Sequence, residues 1–326
     1  MTSFKRLALC AAAGAALLLS TSASAVFAGN YPEHPVHLIL GYPPGGTTDL
    51  IARLLATGLQ DKWGQPVIVE NRPGGAGNIA ADVTAKSDPD GYTIILAVND
   101  LTLPSPDKTY DPVKNFAPVS LLASQPALIL SGPNFPAKTL PDLIALARQQ
   151  PNKLTAANGG IGSAPYMALE MFMQQTGIKL VNVPYKGTSA SIVGLLGGET
   201  DLLFAGVSGA LEHVKSGKFH ALAITSRNRL PQLPDVPTVA EAANLPNFNS
   251  NSASSWFGVL APAGTPDAIV NKLHDDLIAV LKSQKLQDTL SSRGIVTIAS
   301  SPQEFADFIR SDVSTSADLM KTVSAQ

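Results

Sequence analysis

The sequence predicts an α/β fold of two lobes that are joined by two extended crossing strands. Strand and helix signals alternate along most of the 326 residues, and this alternation is typical of mainly parallel sheets covered by helices. Two apolar, extended stretches near residues 119–131 and 255–261 interrupt the alternation. A chain of this length also suggests about two domains. Together these observations predict a clamshell with a cleft between its lobes.

The composition favours a folded protein with a large core. Hydrophobic residues make up 45% of the chain and charged residues 15%, and the formal net charge is −2. Such a chain is too apolar to be disordered. It has no long basic run, so nucleic acid is excluded as an expected partner. The single cysteine, Cys10, lies in an N-terminal segment that we expect to be removed, which leaves no thiol for disulfides or catalysis.

The N-terminus has the pattern of a secretory signal peptide. Lys5 and Arg6 form a short positive region, and an apolar run over residues 7–19 follows it. Small residues at 23–25 form a cleavage motif, and residues 26–28 form a second one. The apolar run is too short to span a bilayer stably. The sequence therefore predicts an exported mature chain, and cleavage after either motif stays open.

A glycine turn follows the first predicted strand, which covers residues 36–40. The turn contains Tyr42, Pro43, Pro44, Gly45, Gly46, Thr47, Thr48 and Asp49. Its glycines allow a tight turn without a Cβ near a ligand. We expect Thr47 or Thr48 to cap the helix that follows, and Asp49 to complement the helix dipole. Free N–H groups at such a helix start can hold an anion, although a turn that binds nothing fits this stretch equally well.

The remainder of the first lobe repeats the order of strand, turn and helix. Residues 66–70 and 92–98 are apolar runs that predict strands. A second glycine-rich turn at 72–78 leads into a helix. Asn99 lies at the C-terminal end of the third strand, and residues 101–118 are proline-rich and irregular.

The chain between the two crossings has the same organisation. Four short apolar runs predict strands at 154–158, 180–183, 201–205 and 219–225. Glycine-containing turns follow the first three, at 159–165, 185–189 and 205–208. A helix that starts at Thr139 precedes these strands, with Pro141 in its first turn. After the second crossing, Thr265 and Ser301 mark the starts of two amphipathic helices.

The turns that follow the predicted strands line the expected cleft, because ligands of open α/β sheets lie beyond the carboxyl ends of the strands. Arg72 and Lys186 are the only basic side chains in these turns. Each carboxylate of a buried ligand needs compensation for its lost hydration. We therefore expect a small mono- or dicarboxylate, with an aromatic or polar body, rather than a tricarboxylate.

No residue pattern indicates catalysis, a cofactor or a metal. The five histidines lie away from the cleft turns, and the sequence contains neither a nucleotide-binding loop nor a G-x-S-x-G or H-E-x-x-H motif. Asp49 and Asp100 are the carboxylates beside the cleft; for Asp49, ligand contact and helix dipole complementarity stay open. A binding protein needs none of these groups to react, so we expect a binder that is not an enzyme.

Short motifs are distributed over the whole mature chain, from about Tyr31 onward. They include Gly-Gly-x-x-Asp at 45–49, Glu-Asn-Arg-Pro-Gly at 70–74, Asp-Gly-Tyr-Thr at 90–93, Tyr-Asp-Pro-Val at 110–113, Pro-Tyr-Lys-Gly at 184–187, Leu-Pro-Asp-Val-Pro-Thr at 233–238 and Trp-Phe-Gly at 256–258. In this combination the chain resembles the Bug proteins, the substrate-binding components of tripartite tricarboxylate transporters. The resemblance implies a periplasmic binding protein of the Venus-flytrap type.

The resemblance also implies which residues bind the ligand. The first lobe is expected to hold a carboxylate with Gly45, Gly46, Thr47, Thr48 and Asp49. The second lobe is expected to provide selectivity through Gly162, Ser163, Thr188, Ala205 and Gly206. We add Asn99 and Tyr42, with Tyr42 or Tyr166 as a flank for a planar ligand body. The segment at 98–110 is shorter than is usual in the family.

The expected organisation is a signal peptide at 1–25, a first lobe formed by 26–123 and 255–326, and a second lobe formed by 124–254. The expected partners are a small carboxylate and membrane transporter subunits, bound by a monomer in the periplasm. A sensor subunit that signals to a membrane kinase is the alternative function, and a carboxylate-processing enzyme is a less favoured one.

Overall fold

The computed structural model describes residues 31–246, 248 and 253–324. The expected signal peptide at 1–25 lies outside these residues. Within them, no helix combines the length and the apolar character needed to cross a membrane.

Strands and helices alternate through most of the described chain. The strands are β1 (Val36–Leu40), β2 (Val67–Asn71), β3 (Thr93–Ala97), β4 (Phe116–Ser131), β5 (Thr155–Asn158), β6 (Val181–Pro184), β7 (Leu202–Gly206), β8 (His220–Ile224), β9 (Ser254–Pro262) and β10 (Val296–Thr297). The α-helices are α1 (Thr47–Trp63), α2 (Asn78–Ala85), α3 (Leu140–Gln149), α4 (Ala164–Thr176), α5 (Thr188–Leu196), α6 (Val207–Lys215), α7 (Val239–Ala242), α8 (Asp267–Leu281), α9 (Gln284–Ser292) and α10 (Pro302–Ser324). Helices α7 and α9 and strand β10 were not predicted.

The strands form one curled sheet in the order β2-β1-β3-β9-β4-β7-β5-β6, and β8 and β10 both pair with β4. β1 runs parallel to β2 and β3, and β5 runs parallel to β6 and β7. The predicted mixed α/β fold with mainly parallel lobes is thus confirmed. The turns after β1, β2 and β3 share one edge of the first half of the sheet. The turns after β5, β6 and β7 share one edge of the second half.

Strand β4 joins the two halves of the sheet. Up to Pro126 it pairs antiparallel with β9, and from Ala127 onward it pairs with β7 and β8. Pro126 lies within β4, yet the strand is continuous from Phe116 to Ser131. Proline lacks an N–H donor, and Pro126 lies at the point where β4 exchanges one partner for another. A missing ladder hydrogen bond is tolerated most easily there.

The core follows the alternation of side chains along each strand. In β1, Leu38 packs in a cluster under α1 and α8, whereas its neighbour Ile39 packs with Trp256 on the opposite face. In β7, Phe204 and Leu203 divide in the same way between two further clusters. Each half of the sheet is therefore covered on both faces, which leaves the strand ends as its accessible parts.

The C-terminal helix α10 contacts both halves of the molecule. Phe305 and Ile309 pack with Trp256 in the first half, and Leu319, nearer the C-terminus, packs with Phe172 in the second half. The expected lobe boundaries assigned all of residues 255–326 to the first lobe, and they did not anticipate this contact. α10 is therefore a third connection between the halves, beside β4 and the chain that enters β9.

Candidate functional site

The turn after β1 ends at the start of α1. Gly46 is the N-cap residue in an extended conformation (φ −82°, ψ 178°), and no described side chain caps the helix. The prediction of a cap by Thr47 or Thr48 is therefore wrong, because both are already helical. Their N–H groups have no hydrogen-bond acceptor among the described residues. A Cβ built on Gly45 or Gly46 meets nothing within 4 Å, so the backbone directly before these donors is open at the positive end of a helix.

The carboxylate of Asp49 holds this turn through hydrogen bonds. Its carboxylate accepts hydrogen bonds of 3.0 Å from the backbone N–H of Gly45, the guanidinium of Arg53 and the side-chain amide of Asn71. The hydrogen bonds from Arg53 are the largest cause that lowers the pKa of Asp49 to about 2. Asp49 therefore bonds internally, and the two roles left open for it, ligand contact and helix dipole complementarity, stay predictions. Only the spacing of Asp49 and Arg53, four residues apart on a helix, was a signal for this brace.

Tyr42 is anchored to the end of β3. Its hydroxyl donates a hydrogen bond to the carboxylate of Asp100, beside a cavity of about 20 Å³ that Tyr110 also lines. Such a volume suits a single water molecule. Burial raises the pKa of Asp100 to about 6, although the positive charge of Lys108 opposes the shift. The position of the Tyr42 ring is thus set by a buried carboxyl group.

Lys108 fixes the short segment that follows β3, a role for which the sequence contains no signal. Its ammonium group donates hydrogen bonds to the carbonyl oxygens of Leu101, at 2.8 Å, and Asp100, at 3.2 Å. Burial lowers the pKa of Lys108 to about 8. The ammonium of Lys108 thus bonds to carbonyl groups at the start of the same segment. These bonds hold the loop beside the cleft.

Asn99 joins the end of β3 to the start of β9. Its side-chain N–H₂ donates to the carbonyl of Ser254, and its side-chain oxygen accepts from the N–H of Trp256, each at 3.0 Å. Asn99 is only 8% exposed. The structure therefore uses the Asn99 amide to hold two strands together, and contact with a ligand stays a prediction.

In the second half of the molecule, the turns after β5 and β6 lie side by side. Ser163 caps α4, because its hydroxyl accepts a hydrogen bond of 3.3 Å from the N–H of Tyr166. A Cβ built on Gly159 would lie 3.3 Å from the Ser163 hydroxyl and 3.5 Å from the Thr188 hydroxyl. Thr188 is the first residue of α5. Two helix N-termini and two hydroxyl groups therefore border one small space.

The turn after β7 contributes less surface than expected. Ala205 is fully buried in a core cluster that also contains Leu203, and the expectation of ligand contact at Ala205 is not met in this conformation. Gly206, the N-cap residue of α6, is partly exposed. A Cβ on Gly206 would lie 3.3 Å from the side-chain oxygen of Gln125 in β4.

Gln125 is a candidate site residue that the sequence analysis missed. It is 9% exposed, and its side-chain nitrogen has no hydrogen-bond partner among the described residues. A buried donor without an acceptor is unfavourable by about 1–3 kcal/mol. A glutamine within an apolar crossing strand was the available signal.

The remaining expected side chains have structural partners. Tyr166 is 3% exposed and packs in the core, so it does not flank a ligand. Arg72 donates hydrogen bonds to the carboxylate of Glu70 at 2.7 and 3.0 Å. Lys186 is exposed. Gly162, in a left-handed conformation (φ +81°), approaches Leu103 of the segment after β3, since a Cβ there would lie 3.4 Å from that side chain.

The sequence profile of the family described as "Tripartite tricarboxylate transporter family receptor" matches residues 51–324. The chain belongs to this family. Among its relatives, BugT of Bordetella pertussis is 35% identical over 309 residues, which cover 93% of this chain and 94% of BugT. The resemblance to the Bug proteins is thus confirmed, and the family consists of periplasmic solute-binding receptors.

Solved structures of similar receptors have the same fold. The periplasmic binding protein BugD has a TM-score of 0.68 at 32% identity, covering 90% of this chain and 98% of BugD. An R. palustris protein solved with adipate has a TM-score of 0.72 at 33% identity, covering 90% and 98%. MatC of Rhodopseudomonas palustris, with bound malate, has a TM-score of 0.68 at 29% identity, covering 89% and 99%.

This receptor therefore presents hydrogen-bond donors from both halves of its sheet. The first half offers the N–H groups at the start of α1. The second half offers the hydroxyls of Ser163 and Thr188 beside two helix N-termini. In the described part of the chain, no group of three or more His, Cys, Asp or Glu side chains is arranged to hold a metal ion. The arrangement is suited to holding a small anion through neutral donors.

Proposed function

We propose that this receptor binds a small mono- or dicarboxylate in the periplasm and delivers it, chemically unchanged, to the membrane subunits of a tripartite transporter. The observation that carries the proposal is the start of α1. There, the N–H groups of Thr47 and Thr48 have no acceptor among the described residues, and they follow two glycines whose surroundings are open. Backbone donors at a helix N-terminus hold a carboxylate without requiring a cation.

One carboxylate of the ligand binds at this helix start. Gly45 and Gly46 allow its oxygens to approach the backbone, and the Thr47 and Thr48 hydroxyls add donors nearby. Hydrogen bonds to a charged group contribute about 1.5–3 kcal/mol each. Asp49 does not bind the ligand in this scheme; it fixes the geometry of the turn through Arg53 and Asn71.

The other end of the ligand meets the second half of the molecule. Ser163 and Thr188 supply hydroxyl groups around Gly159. Gln125 supplies a side-chain N–H₂ that has no partner within the described residues. These groups are neutral donors, so they suit a second carboxylate or a polar group of the ligand.

The charges beside the site favour one or two carboxylates over three. Arg72 is already paired with Glu70, which leaves Lys186 as the one unpaired basic side chain of the six expected cleft turns in the described chain. A third carboxylate would lose its hydration without a cation to replace it. The similar receptors solved with adipate and malate also hold dicarboxylates.

Calorimetric titration with adipate, malate, succinate, benzoate and citrate tests this proposal. We expect at least one mono- or dicarboxylate to bind and to be recovered unchanged after incubation. Citrate binding about tenfold more tightly than every other acid, a difference of about 1.4 kcal/mol, would contradict the proposed ligand class. Conversion of a bound acid into a product would contradict the assignment as a binding protein.

A further inference from the structure

A chain of partly buried hydrogen bonds connects Glu170 of α4 to the turn after β5. The N–H of Gly160 donates to the side-chain oxygen of Asn158 at 2.9 Å. The Asn158 side-chain N–H₂ donates to the oxygen of the Asn182 side chain at 2.6 Å. The Asn182 N–H₂ in turn donates to the carboxylate of Glu170 at 2.6 Å. We call these four residues the amide relay.

The direction of every bond in the amide relay follows from its last member. A carboxylate only accepts hydrogen bonds, so Glu170 requires Asn182 to present its N–H₂ group. Asn182 then presents its oxygen to Asn158, which can only donate to it. The oxygen of Asn158 is thereby left for Gly160. Asn158 is fully buried and Glu170 is 6% exposed, so solvent offers few alternative partners at these two positions, whereas Asn182 is partly exposed.

Gly160, the member of the amide relay that lies in the candidate site, has a constrained backbone. Gly160 has a left-handed conformation (φ +109°), and a Cβ there would lie 2.7 Å from the carbonyl oxygen of Tyr185. The carbonyl of Gly160 accepts a hydrogen bond of 3.0 Å from the N–H of Ser163. Gly160 therefore links the two ends: Asn158 holds its N–H, and its carbonyl holds the N–H of Ser163, whose hydroxyl lies near Thr188.

We propose that Glu170 is a positioning residue for ligand binding, which orients the turn at 159–163 through Asn182 and Asn158 without touching the ligand. The effect on affinity rests on the proposed function, because that function places Ser163 beside the ligand. The effect on the turn itself does not, and it is measurable in the free protein.

The test reverses the relay with two substitutions that do not contact each other. In Asn158→Asp, residue 158 still accepts from Gly160 but no longer donates, so Asn182 must rotate and turn its oxygen toward Glu170. Two acceptors then face each other. In the double variant N158D/E170Q, the glutamine N–H₂ donates to that oxygen, and every bond is restored in reverse. Glu170 borders a surface cleft of about 490 Å³, which has room for the glutamine amide.

Two readouts distinguish failure of this proposal from failure of the proposed function. The first is the NMR amide signal of Gly160 in the free protein, and the second is the Kd for adipate. We expect Glu170→Gln alone to stay near wild type in both, because glutamine still accepts from Asn182. N158D should shift the Gly160 signal and weaken adipate binding about tenfold, the effect of one unsatisfied buried group. N158D/E170Q should return both toward wild type.

If the Gly160 signal of N158D/E170Q is no closer to wild type than that of N158D, the amide relay is contradicted. This outcome does not depend on which ligand the protein binds. If N158D does not fold, the Gly160 signal is compared between Glu170→Leu and Glu170→Gln instead. Of these two substitutions, only leucine removes the side-chain oxygen that accepts from Asn182. An unchanged Gly160 signal in Glu170→Leu would contradict the proposal. Restoration of the Gly160 signal without any adipate binding, in wild type or variant, would retain the relay and count against adipate as a ligand.

Discussion

The carboxylate of Asp49 accepts a hydrogen bond of 3.0 Å from the side-chain amide of Asn71. This bond ties the first turn of α1 to the end of β2. The same amide donates to the carbonyl oxygen of Tyr42 at 3.0 Å, so Asn71 holds both ends of the turn that presents the anion site. A turn of small residues with open space around it is thereby kept in one geometry before any ligand arrives.

Replacing Asp49 by alanine should weaken carboxylate binding and lower the stability of the fold. Loss of its hydrogen bonds leaves Asn71 and Gly45 without an acceptor, which destabilises by about 1–3 kcal/mol and weakens binding about tenfold. Because the folded pKa of Asp49 is lowered to about 2, its contribution is present above its ordinary pKa and disappears as the pH falls toward 2. Urea unfolding at several pH values and calorimetry measure both effects.

Asp82→Ala is the matched control, since Asp82 pairs with Lys86 at the same i,i+4 spacing. That pair is solvent-accessible, so the control should lose less than about 1 kcal/mol of stability and keep its affinity. Equal losses of affinity in the two variants would contradict the bracing role of Asp49.

Replacing Asp100 by asparagine should stabilise the protein at neutral pH. The folded pKa of Asp100, about 6, lies above its ordinary value. The folded state therefore binds the proton more tightly, and stability falls as the pH rises from about 4 to about 6. Asparagine still accepts from Tyr42, so at pH 7 we expect a gain of about 1–3 kcal/mol. Thermal unfolding from pH 4 to pH 7 measures this, with the exposed Asp107→Asn as the control for one lost negative charge.

Replacing Gln125 by leucine should separate binding from stability. The substitution removes a buried donor that has no partner among the described residues, so the Tm should stay unchanged or rise. If Gln125 donates to the ligand, the Kd should rise about tenfold. Ser131→Ala is the control, because the Ser131 hydroxyl is also buried and unpaired within the described chain but lies at the other end of β4. An unchanged Kd in Gln125→Leu would remove Gln125 from the site.

The sequence was sufficient to predict the parts of the fold that depend on local pattern. The alternation of strands and helices, the glycine turn at 42–49 and the family all follow from short stretches. The brace of Arg53 and Asn71 on Asp49 was not predictable in full, because the Asn71 bond joins two separate elements. The burial of Ala205 was not predictable from alternation alone, because both faces of β7 are covered, with Phe204 on one and Leu203 on the other.

Other differences arise from tertiary contacts. The continuity of β4 through Pro126 depends on β9 and β7 meeting at that residue. The packing of Leu319 against the second half of the molecule depends on the full length of α10. The unpaired amide of Gln125 becomes visible only once the buried surroundings of β4 are known. None of these features leaves a periodic signal in the chain.

Binding of a carboxylate at the start of α1 is tested by the Gly46→Val variant. Its affinity is measured for the carboxylate that binds the wild-type protein most tightly, with Gly132→Val as the control. A Cβ at either glycine meets nothing within 4 Å, and Gly132 lies beside Ser131, which pairs with Leu202 at the other end of β7 from the cleft turn. We expect both variants to fold with similar Tm values, and only Gly46→Val to lose at least about tenfold in affinity, because its side chain blocks approach to the N–H groups of α1. Wild-type affinity in a folded Gly46→Val protein would contradict binding of the carboxylate at this helix start.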